Sequence, residues 1–389
     1  MRSWVLGRHY WRGWPWTIAV RIGVGDSVLV AGASQSGKTS RIVIPLLLEW
    51  SGPVVVTSVK HDVVAATRRW RASRGEVQLL EPGADDGLTW NPLEEVRSHR
   101  DALRVAATLT TPSSRADGEF WNALAVRMVG ALFWLAVQRG RSVVEVTRAL
   151  EDRTWPEWVD GLGDPDAERT LEAYTRYEPR TLESVLTTAE TLVMAWRFDQ
   201  PRARALSVLD GDNTLYLCAA RGEHAHYAGL FRGALRSIVD EQHRRAEHGT
   251  ARPLLVLLDE AASVAALEEL DVWAATVAAS RTTLVTVVQD FAQLRVRFGE
   301  RASTIVNNHA VRVVLSGLAD PSAERYVPEL SPPSPPSGST RAARVWREQP
   351  RYRARMVRAH QPPRDVRLVP WWRRRRLRHR GESLTTLSS

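Results

Sequence analysis

Residues 27–39 read SVLVAGASQSGKT, and they are the strongest indication of the fold in this sequence. It joins a short apolar run, Ser27–Ala31, to Gly32-Ala33-Ser34-Gln35-Ser36-Gly37-Lys38-Thr39, which matches G-x-x-x-x-G-K-[ST] at every fixed position. The apolar run predicts a buried strand, and Thr39–Trp50 predicts a helix that Pro45 should kink. A glycine-rich turn between a strand and a helix is the context that this motif requires. The context therefore favours a functional motif over a chance match.

The eight residues from Gly32 to Thr39 predict a loop that binds phosphate. Glycines let backbone N–H groups curl around the phosphates, and the helix after the loop directs the positive end of its dipole at them. We expect Lys38 to reach the β- and γ-phosphates and the Thr39 hydroxyl to ligate Mg²⁺. The predicted ligands are therefore ATP and Mg²⁺, with all eight loop residues at the nucleotide.

A second apolar run, Leu254–Leu258, ends in the acidic pair Asp259 and Glu260. In α/β sheets, ligands bind outside the carboxyl ends of the strands, so this pair should lie beside the phosphate loop. We expect Asp259 to hold Mg²⁺ through water and Glu260 to polarise the attacking water. The same acids could simply begin a helix, whose dipole favours negative charge. Their pairing with the phosphate loop favours the catalytic interpretation.

Three further residues are candidates for the site. Gln289 ends the apolar run Thr283–Val288, where it could contact the γ-phosphate or orient water, or could be a polar residue leaving a strand. Arg281, just before that run, could act as an arginine finger across a subunit boundary. Lys60 follows another predicted strand, Val54–Thr57, and could face either the site or solvent.

The remaining apolar runs alternate with helical segments. The other predicted strands are Val54–Thr57, Val77–Leu80, Thr214–Cys218 and Val311–Leu315. Strands that are apolar along their whole length and separated by helices predict an α/β fold with a mainly parallel central sheet. From residue 98 to 205 the periodicity is helical, with amphipathic elements at Phe120–Leu135 and Thr181–Trp196. This region predicts an all-α domain inserted into the α/β fold.

These patterns predict a domain organisation. A nucleotide-binding α/β domain covers residues 27–97 and 206–327, and the inserted all-α domain covers residues 98–205. An N-terminal segment, 1–26, has no clear period. A Pro/Ser-rich linker, 328–340, and an Arg-rich tail, 341–389, complete the chain, and we expect both to be flexible.

Positive charge is concentrated in the tail. The whole chain carries a formal charge of +9, yet residues 341–380 contain 15 Arg against Glu348 and Asp365, a local charge of +13. The run Trp371–Arg380 mixes aromatic and cationic residues. It could contact DNA phosphates or an anionic membrane face, or it could be a solvated and disordered end.

The amino-acid composition indicates the class of protein and its cellular compartment. Hydrophobic and charged fractions of 44% and 25% are those of a globular protein and exclude disorder throughout. Cys218, the single cysteine, cannot form an internal disulfide, which favours a reducing cytoplasmic compartment. Ala123–Val137 is shorter than the roughly 20 residues that cross a bilayer and contains Arg127, so we expect a core helix and no transmembrane helix. His224 and His226 lack a companion cluster and predict no metal site.

Three segments together resemble the type IV secretion coupling proteins, the TraG/TraD-like conjugative ATPases of the HerA/FtsK superfamily. They are residues 28–63, VLVAGASQSGKTSRIVIPLLLEWSGPVVVTSVKHDV, residues 88–96, LTWNPLEEV, and residues 254–320, from LLVLLDEAAS to GLAD. The last is similar to the TraM-recognition region. Pro45, the Asn91-Pro92 turn and Gln289 occur in the order found in that family, and the likeness runs from Gly25 to Tyr326 with a further match at VRLVPWW.

The resemblance implies a RecA-like nucleotide-binding domain that assembles as a homo-hexamer. It implies that ATP hydrolysis delivers DNA or a DNA–protein complex to a type IV secretion channel at the inner face of the cell membrane. Single-stranded DNA would pass through the central pore of the hexamer. Relaxosome-type proteins and channel components would be partners, and the basic tail could give peripheral membrane contact. Lys38, Thr39, Asp259, Glu260 and Gln289 would take the roles described above.

Two other functions stay open from the sequence. One is a soluble double-strand DNA translocase of the same superfamily, against which the inserted helical region and the TraM-like segment argue. The other is a nucleotide-gated adaptor that binds ATP without hydrolysis, against which the intact pair Asp259 and Glu260 argues. The chain also departs from many relatives, which have N-terminal transmembrane helices and read Asp-Pro-Lys-Gly-Glu where this sequence reads Ser58-Val59-Lys60-His61-Asp62.

Overall fold

A computed structural model gives the conformation of most of the chain. It describes residues 3–9, 18–58, 61–84, 88–110, 116–159, 164–197, 201–219, 224–260, 267, 269–318, 320, 323–327 and 353–381. The chain forms two compact units. The first comprises Met1–Val77, Ser207–Ala220 and Glu241–Ser389, and the second comprises Gln78–Leu206 and Arg221–Asp240.

An eleven-stranded sheet dominates the described residues. Its strands are β1 (Ser3–His9), β2 (Ile18–Gly23), β3 (Ser27–Ala31), β4 (Val54–Ser58), β5 (Val77–Leu80), β8 (Thr214–Cys218), β9 (Leu254–Leu258), β10 (Thr282–Val288), β11 (Val311–Leu315), β12 (Arg353–Arg358) and β13 (Arg364–Arg367). Two short strands, β6 (Thr89–Trp90) and β7 (Pro201–Ala203), form a separate pair. The spatial order of the large sheet is β2-β1-β13-β12-β11-β3-β10-β9-β4-β8-β5.

The centre of the sheet is parallel, as the apolar runs predict. β11, β3, β10, β9, β4 and β8 pair in parallel along the order of the sheet. Nearly every residue in these strands is buried, because each strand carries apolar side chains on both faces and both faces are covered. In the parallel register Ala31 lies opposite Val288, and Thr57 lies opposite Leu258. The carboxyl ends of these strands therefore meet at one edge.

The helices connect and cover these strands. In chain order they are α1 (Ile44–Glu49), α2 (His61–Ala72), α3 (His99–Thr108), α4 (Ala116–Gln138), α5 (Val143–Glu151), α6 (Pro165–Thr175), α7 (Pro179–Val193), α8 (His224–Glu247), α9 (Leu270–Thr276), α10 (Phe291–Phe298), α11 (Arg301–Asn308), α12 (Ala323–Tyr326) and α13 (Arg375–Gly381). Thr39–Val43 forms a π-helical turn before α1, and short 3₁₀ turns occur at Pro92–Glu95, Trp155–Trp158, Met194–Trp196, Ala205–Asp210 and Trp371–Arg373.

The predicted kink at Pro45 takes the form of the π-helical turn. Proline lacks the N–H that an α-helix needs and its ring crowds the carbonyl one turn earlier, so the preceding turn widens. The N–H of Ile44 bonds to the oxygen of Thr39, five residues back, and Pro45 stands in the first turn of α1. The helix after the phosphate loop is thus continuous from Thr39 to Glu49 with a wide first turn.

Both ends of the chain differ from the sequence-based expectation. The N-terminal segment contributes β1 and β2, and the tail contributes β12 and β13, which pair antiparallel to extend the sheet beyond β11. In β12 the buried Ala354 and Met356 alternate with partly exposed Arg353 and Arg355. This alternation is a strand pattern that the density of arginines conceals. The tail between 353 and 381 is therefore folded, and the expectation of a flexible tail is wrong there, whereas linker 328–340 lies outside the described residues.

The second unit is larger than the predicted insertion of residues 98–205. It begins at Gln78, includes Arg221–Asp240, which covers α8 as far as Asp240, and contains the parallel pair β6 and β7 besides α3 to α7. Its short strands hold so few residues that no strand pattern marks them. The structure thus assigns about twenty residues before the predicted boundary to this unit.

Helix α4 is the core of the second unit. Met128 and Phe133 are fully buried, the hydroxyl of Tyr174 donates to the oxygen of Leu124 at 2.7 Å, and Nε1 of Trp134 donates to Asp164 at 2.6 Å. Over Gly118–Gln138 the helix is long and apolar enough to cross a membrane by length and composition, and 56% of an apolar 18-residue window within it is buried inside the protein. Core helices of soluble proteins share these features, so this stretch is weak evidence of a membrane span.

Candidate nucleotide-binding site

The phosphate loop lies at the carboxyl edge of the parallel sheet. It follows β3 directly, and the N–H of Gly32 bonds to the oxygen of Val288 at 3.3 Å, which ties the start of the loop to the end of β10. Gln35 and Gly37 have φ angles of 61° and 89°, so the backbone alternates between right- and left-handed conformations. Such alternation turns successive N–H groups toward one concave side and forms an anion-binding nest.

Lys38 places its charge inside this loop. The side chain is 9% exposed, and Nζ donates to the backbone oxygens of Gly32 and, at 3.0 Å, Ala33. An ammonium group buried this far needs oxygen acceptors, and the two carbonyls provide them. Thr39 follows as the first residue of the π-helical turn and is half-buried.

Two local features of the loop suit a bound polyphosphate. A Cβ on Gly37 would lie 1.7 Å from Nη1 of Arg41, and its φ of 89° also favours glycine, so the backbone here is kept bare. The hydroxyl of Ser36 is buried without a hydrogen-bond partner among the described residues. Buried hydroxyls are normally satisfied. A phosphate oxygen or a water held by a phosphate at this loop would supply the missing acceptor.

The acidic pair stands at the same edge, two strands from the loop. Asp259 is 5% exposed and follows β9, where its N–H bonds to the oxygen of Thr57 at 3.3 Å. Glu260 is half-buried and adopts φ 54°, a left-handed conformation that is costly for a residue with a side chain. This turn ends the strand at the acidic pair. Asp259 and Glu260 themselves form a turn, and the residues after Glu260, on which the alternative interpretation as a helix start depends, lie outside the described residues.

Gln289 lies beside the loop. It follows β10, the neighbour of β3, and with Ala33 and Ser34 it lines a cavity of about 380 Å³. The cavity is also bordered by Asp290, Ala292, Gly317, Leu318 and Asp320. Asp320 accepts hydrogen bonds from the N–H groups of Phe291 and Ala292 at 2.8 and 3.0 Å, and Asp290 accepts from that of Gln293. The two aspartates fix the start of α10 and hence the position of Gln289.

The role of Asp320 could not be predicted from the sequence, because its partners lie 28 and 29 residues away along the chain. Asp290 could have been found, since an Asp directly before a helical segment is a common N-cap. The structure does not bring Arg281 to these residues. It precedes β10 at the opposite, amino end, where its Nη1 donates to the oxygen of Ala251 at 3.0 Å. Lys60 lies outside the described residues, as do the side chains of His224 and His226.

Two family models match this sequence. A family model described as type IV secretory system conjugative DNA transfer matches residues 7–212, and one described as the TraM recognition site of TraD and TraG matches residues 253–331. A conjugal transfer protein TraG of Escherichia coli is 26% identical over 329 residues, covering 73% of this chain and 52% of that protein. The VirD4 protein of Rhizobium rhizogenes is 22% identical, covering 77% and 48%. The chain spans about half the length of these relatives.

Solved structures show the same fold. The bacterial conjugative coupling protein TrwB, in a form called deltaN70, superimposes with a TM-score of 0.71 at 17% identity, covering 89% of this chain and 85% of that one. TrwB structures with the ATP analogue ADPNP and with ADP and Mg²⁺ give TM-scores of 0.69 and 0.67 at 16% identity, covering 89% of this chain and 86% and 85% of theirs. The predicted P-loop fold of RecA type is confirmed. With its first family model covering more than half of its length, the chain belongs to the type IV secretory system conjugative DNA transfer family.

Proposed function

We propose that this chain binds ATP with Mg²⁺ and hydrolyses ATP to drive DNA, or a DNA–protein complex, toward a type IV secretion channel. One observation carries the proposal. The phosphate loop with its buried Lys38 and the turn that contains Asp259 and Glu260 lie at the same edge of the sheet. Binding of ADPNP, and of ADP and Mg²⁺, by the structurally similar TrwB supports the choice of ligands.

Each site residue has a role in this proposal. Lys38 compensates phosphate charge, and the loop N–H groups with the Ser36 hydroxyl orient the phosphate oxygens. Thr39 and Asp259 hold Mg²⁺, which neutralises charge on the phosphates when bound. Glu260 polarises the attacking water, and Gln289, at the rim of the 380 Å³ cavity, orients that water or contacts the γ-phosphate. Arg281 stays a candidate finger for the site of a neighbouring subunit.

The partners follow from the family. Single-stranded DNA, relaxosome-type proteins, channel components and a homo-hexameric assembly are proposed on the match to the TraM recognition model. The working place is the cytoplasmic face of the membrane. Arg375 and Arg376 are exposed on α13 and are available for anionic headgroups. In flotation with anionic liposomes, Arg375→Glu with Arg376→Glu should leave the protein at the bottom; equal flotation of variant and parent would refute contact through α13.

The deciding experiment is steady-state ATP turnover of the purified chain with and without single-stranded DNA. Turnover should rise with DNA and should fall by about 10²- to 10³-fold in Lys38→Ala, because one preorganised charge at the transferred phosphate is removed. Arg244→Ala is the control, since Arg244 is half-exposed and pairs with Glu241 at the surface. ATP binding without turnover under every condition would favour the nucleotide-gated adaptor, and turnover indifferent to Lys38→Ala would refute the proposed site.

A further inference from the structure

A second cavity lies at the C-terminal segment of the first unit. Its volume is about 340 Å³, and it is lined by Arg41, Arg367, Leu368, Val369, Pro370, Trp372 and Arg373. We propose that this cavity is the subsite for the base and ribose of the bound nucleotide, with the indole of Trp372 as the surface on which the base stacks. The inference rests on the proposed function, because it assumes that a nucleotide occupies the phosphate loop.

The cavity adjoins the phosphate loop through Arg41. The guanidinium of Arg41 donates from Nη1 to the oxygen of Ser36 at 3.4 Å and covers the bare backbone of Gly37. The same side chain forms part of the cavity wall. Arg41 therefore borders both the phosphate loop and this cavity.

The sheet places the cavity at the correct edge. β13 is antiparallel to β12, and β12 is antiparallel to β11, which is parallel to β3. β13 therefore runs in the same direction as β3, and its carboxyl end opens on the edge that bears the phosphate loop. Arg367 is the last residue of β13, and the rest of the wall follows it in sequence. The base subsite would lie on the side of β3 away from Asp259 and Glu260, since β9 lies on the other side of β3.

The lining suits a nucleoside. Leu368, Val369 and Pro370 provide apolar wall, and a cavity near 300 Å³ or above is the size of small-molecule sites. Trp372 is 48% exposed, so one part of a large aromatic ring faces solvent instead of packing in the core. Trp371 and Trp372 form a T-shaped pair, with ring centroids 5.8 Å apart and planes at 84°, so the two indoles are not stacked face to face and at least one face of Trp372 is not covered by Trp371. Aromatic faces stack with every base.

The segment that forms the wall is held rigidly. The guanidinium of Arg374 donates to the oxygen of Val369 at 3.2 Å and to those of Val5 and Leu6 in β1 at 3.3 and 3.2 Å. Leu377, further along, is buried with Ile44 and Leu48 of α1. A wall fixed in this way is preorganised, so a ligand loses little freedom of the protein on binding.

The charges of the wall favour a nucleotide over a neutral nucleoside. Arg41, Arg367 and Arg373 contribute three guanidinium groups to one cavity. Guanidinium groups bind phosphate oxygens and also stack on aromatic planes. A free phosphate would use these charges but would gain nothing from Trp372, and this difference separates a base subsite from a general anion site.

The test compares two ligands by isothermal titration calorimetry in the presence of Mg²⁺: ATP, and tripolyphosphate, which has the phosphates without base or ribose. Trp372→Ala should raise the Kd for ATP about tenfold, the scale of one lost base–aromatic stack, and should leave the Kd for tripolyphosphate within about twofold. Trp372→Phe keeps an aromatic face and should stay close to the parent. Phe120→Ala is the control, because Phe120 is an exposed aromatic of similar exposure, 57%, that does not line the cavity.

Two results for Trp372→Ala would overturn the inference: an equal loss of affinity for ATP and tripolyphosphate, or an unchanged affinity for both ligands. Either result would leave the proposed nucleotide site intact. If Trp372→Ala unfolds at a lower temperature than the parent, Trp372→Phe decides: a Kd for ATP raised as in the alanine variant would also overturn the inference. A parent chain that binds neither ligand would overturn the proposed function together with it. The failure of the base subsite and the failure of the nucleotide site are therefore distinguishable.

Discussion

The guanidinium of Arg380 donates a hydrogen bond of 2.6 Å to the backbone oxygen of Leu48. Leu48 belongs to the last turn of α1, the helix that follows the phosphate loop, where carbonyl oxygens lack partners within the helix. The same guanidinium lies 4.4 Å from the ring centroid of Trp70 in α2. A C-terminal arginine thus caps the helix that carries the phosphate loop, and the tail stabilises the site instead of extending into solvent.

Arg380→Ala should loosen α1. The variant loses a charged hydrogen bond and a cation–π contact, together about 1–2 kcal/mol, and leaves the carbonyl of Leu48 to water. Hydrogen–deuterium exchange at the amides of residues 46–50 should become roughly tenfold faster, since 1.4 kcal/mol is a factor of ten. Arg376→Ala, an exposed arginine on the same helix, is the control. Identical exchange in the two variants would show that the cap contributes nothing to α1.

Glu260→Gln should separate binding from hydrolysis. Glutamine keeps the size of the side chain and the left-handed backbone but cannot polarise water as a carboxylate does. Turnover should fall by about 10²- to 10⁴-fold, while the Kd for ATP changes little. Glu300→Gln, at an exposed glutamate before α11, should match the parent in both measurements. Turnover unaffected by Glu260→Gln would remove Glu260 from the catalytic residues.

Arg71 holds the first unit together from within, and its loss should be costly. The side chain is fully buried and donates to Thr214 Oγ1 and to the oxygens of Trp50, Gly52 and Asp212 at 2.7–3.0 Å. Burial lowers the pKa of Arg71 to about 10, so it is charged at neutral pH. Arg71→Met should destabilise the protein by about 3–5 kcal/mol, because four buried acceptors lose their donor.

The matched control for this change is Arg74→Met. Arg74 pairs with Asp212 at 2.9 Å, but its side chain is 37% exposed, and ion pairs of this kind contribute about 0–1 kcal/mol. Urea denaturation followed by circular dichroism measures both variants. Equal midpoints for Arg71→Met and Arg74→Met would contradict a structural role for the four hydrogen bonds.

His309 should make the stability depend on pH. Its Nδ1 donates to the oxygen of Ile305 at 2.7 Å, so Nε2 accepts from the hydroxyl of Thr286 at 2.9 Å and the ring is neutral. Burial lowers the pKa of His309 from 6.5 to about 4. The unfolded chain therefore binds a proton at a higher pH than the folded chain. Stability should be unaffected above pH 6.5 and fall as the pH drops from 6.5 to about 4, by an amount on the order of 3 kcal/mol.

Thermal unfolding between pH 4 and pH 8 measures this dependence, and His309→Gln should flatten the curve between pH 4 and 6.5 while lowering stability at pH 8. His248→Gln, at an exposed histidine, should leave the shape of the curve unchanged. If His309→Gln retains the whole acid limb of the parent, other groups carry it and the assignment to His309 is wrong.

Local sequence patterns predicted much of the candidate site. The strands Ser27–Ala31, Thr214–Cys218, Leu254–Leu258 and Val311–Leu315 have the predicted bounds, because an apolar run flanked by turn residues is a property of a few consecutive residues. The phosphate loop is similarly contained in eight residues. Asp259 and Gln289 could be placed because parallel strands bring their carboxyl ends to one edge.

Other features depend on contacts that no local pattern contains. Among the arginines of the tail, Arg374 and Arg380 bond to backbone oxygens more than 300 residues earlier in the chain, whereas Arg375 and Arg376 are exposed. The sequence shows a uniform basic run at these positions and cannot distinguish the four. Arg281, the candidate finger for the site of a neighbouring subunit, lies before β10 at the edge of the sheet opposite the phosphate loop, and this position depends on the direction of the strand.

The phosphate loop, the acidic pair and the parallel core could be predicted from the sequence alone, because each depends on residues that are neighbours in the chain and on their local polarity and backbone geometry. The folded structure was needed to show that the two ends of the chain extend the sheet, that Arg380 caps α1, and that Trp372 and Arg41 line a common cavity. These contacts join segments that are far apart in sequence, and burial that depends on such partners is fixed only when the whole chain has folded.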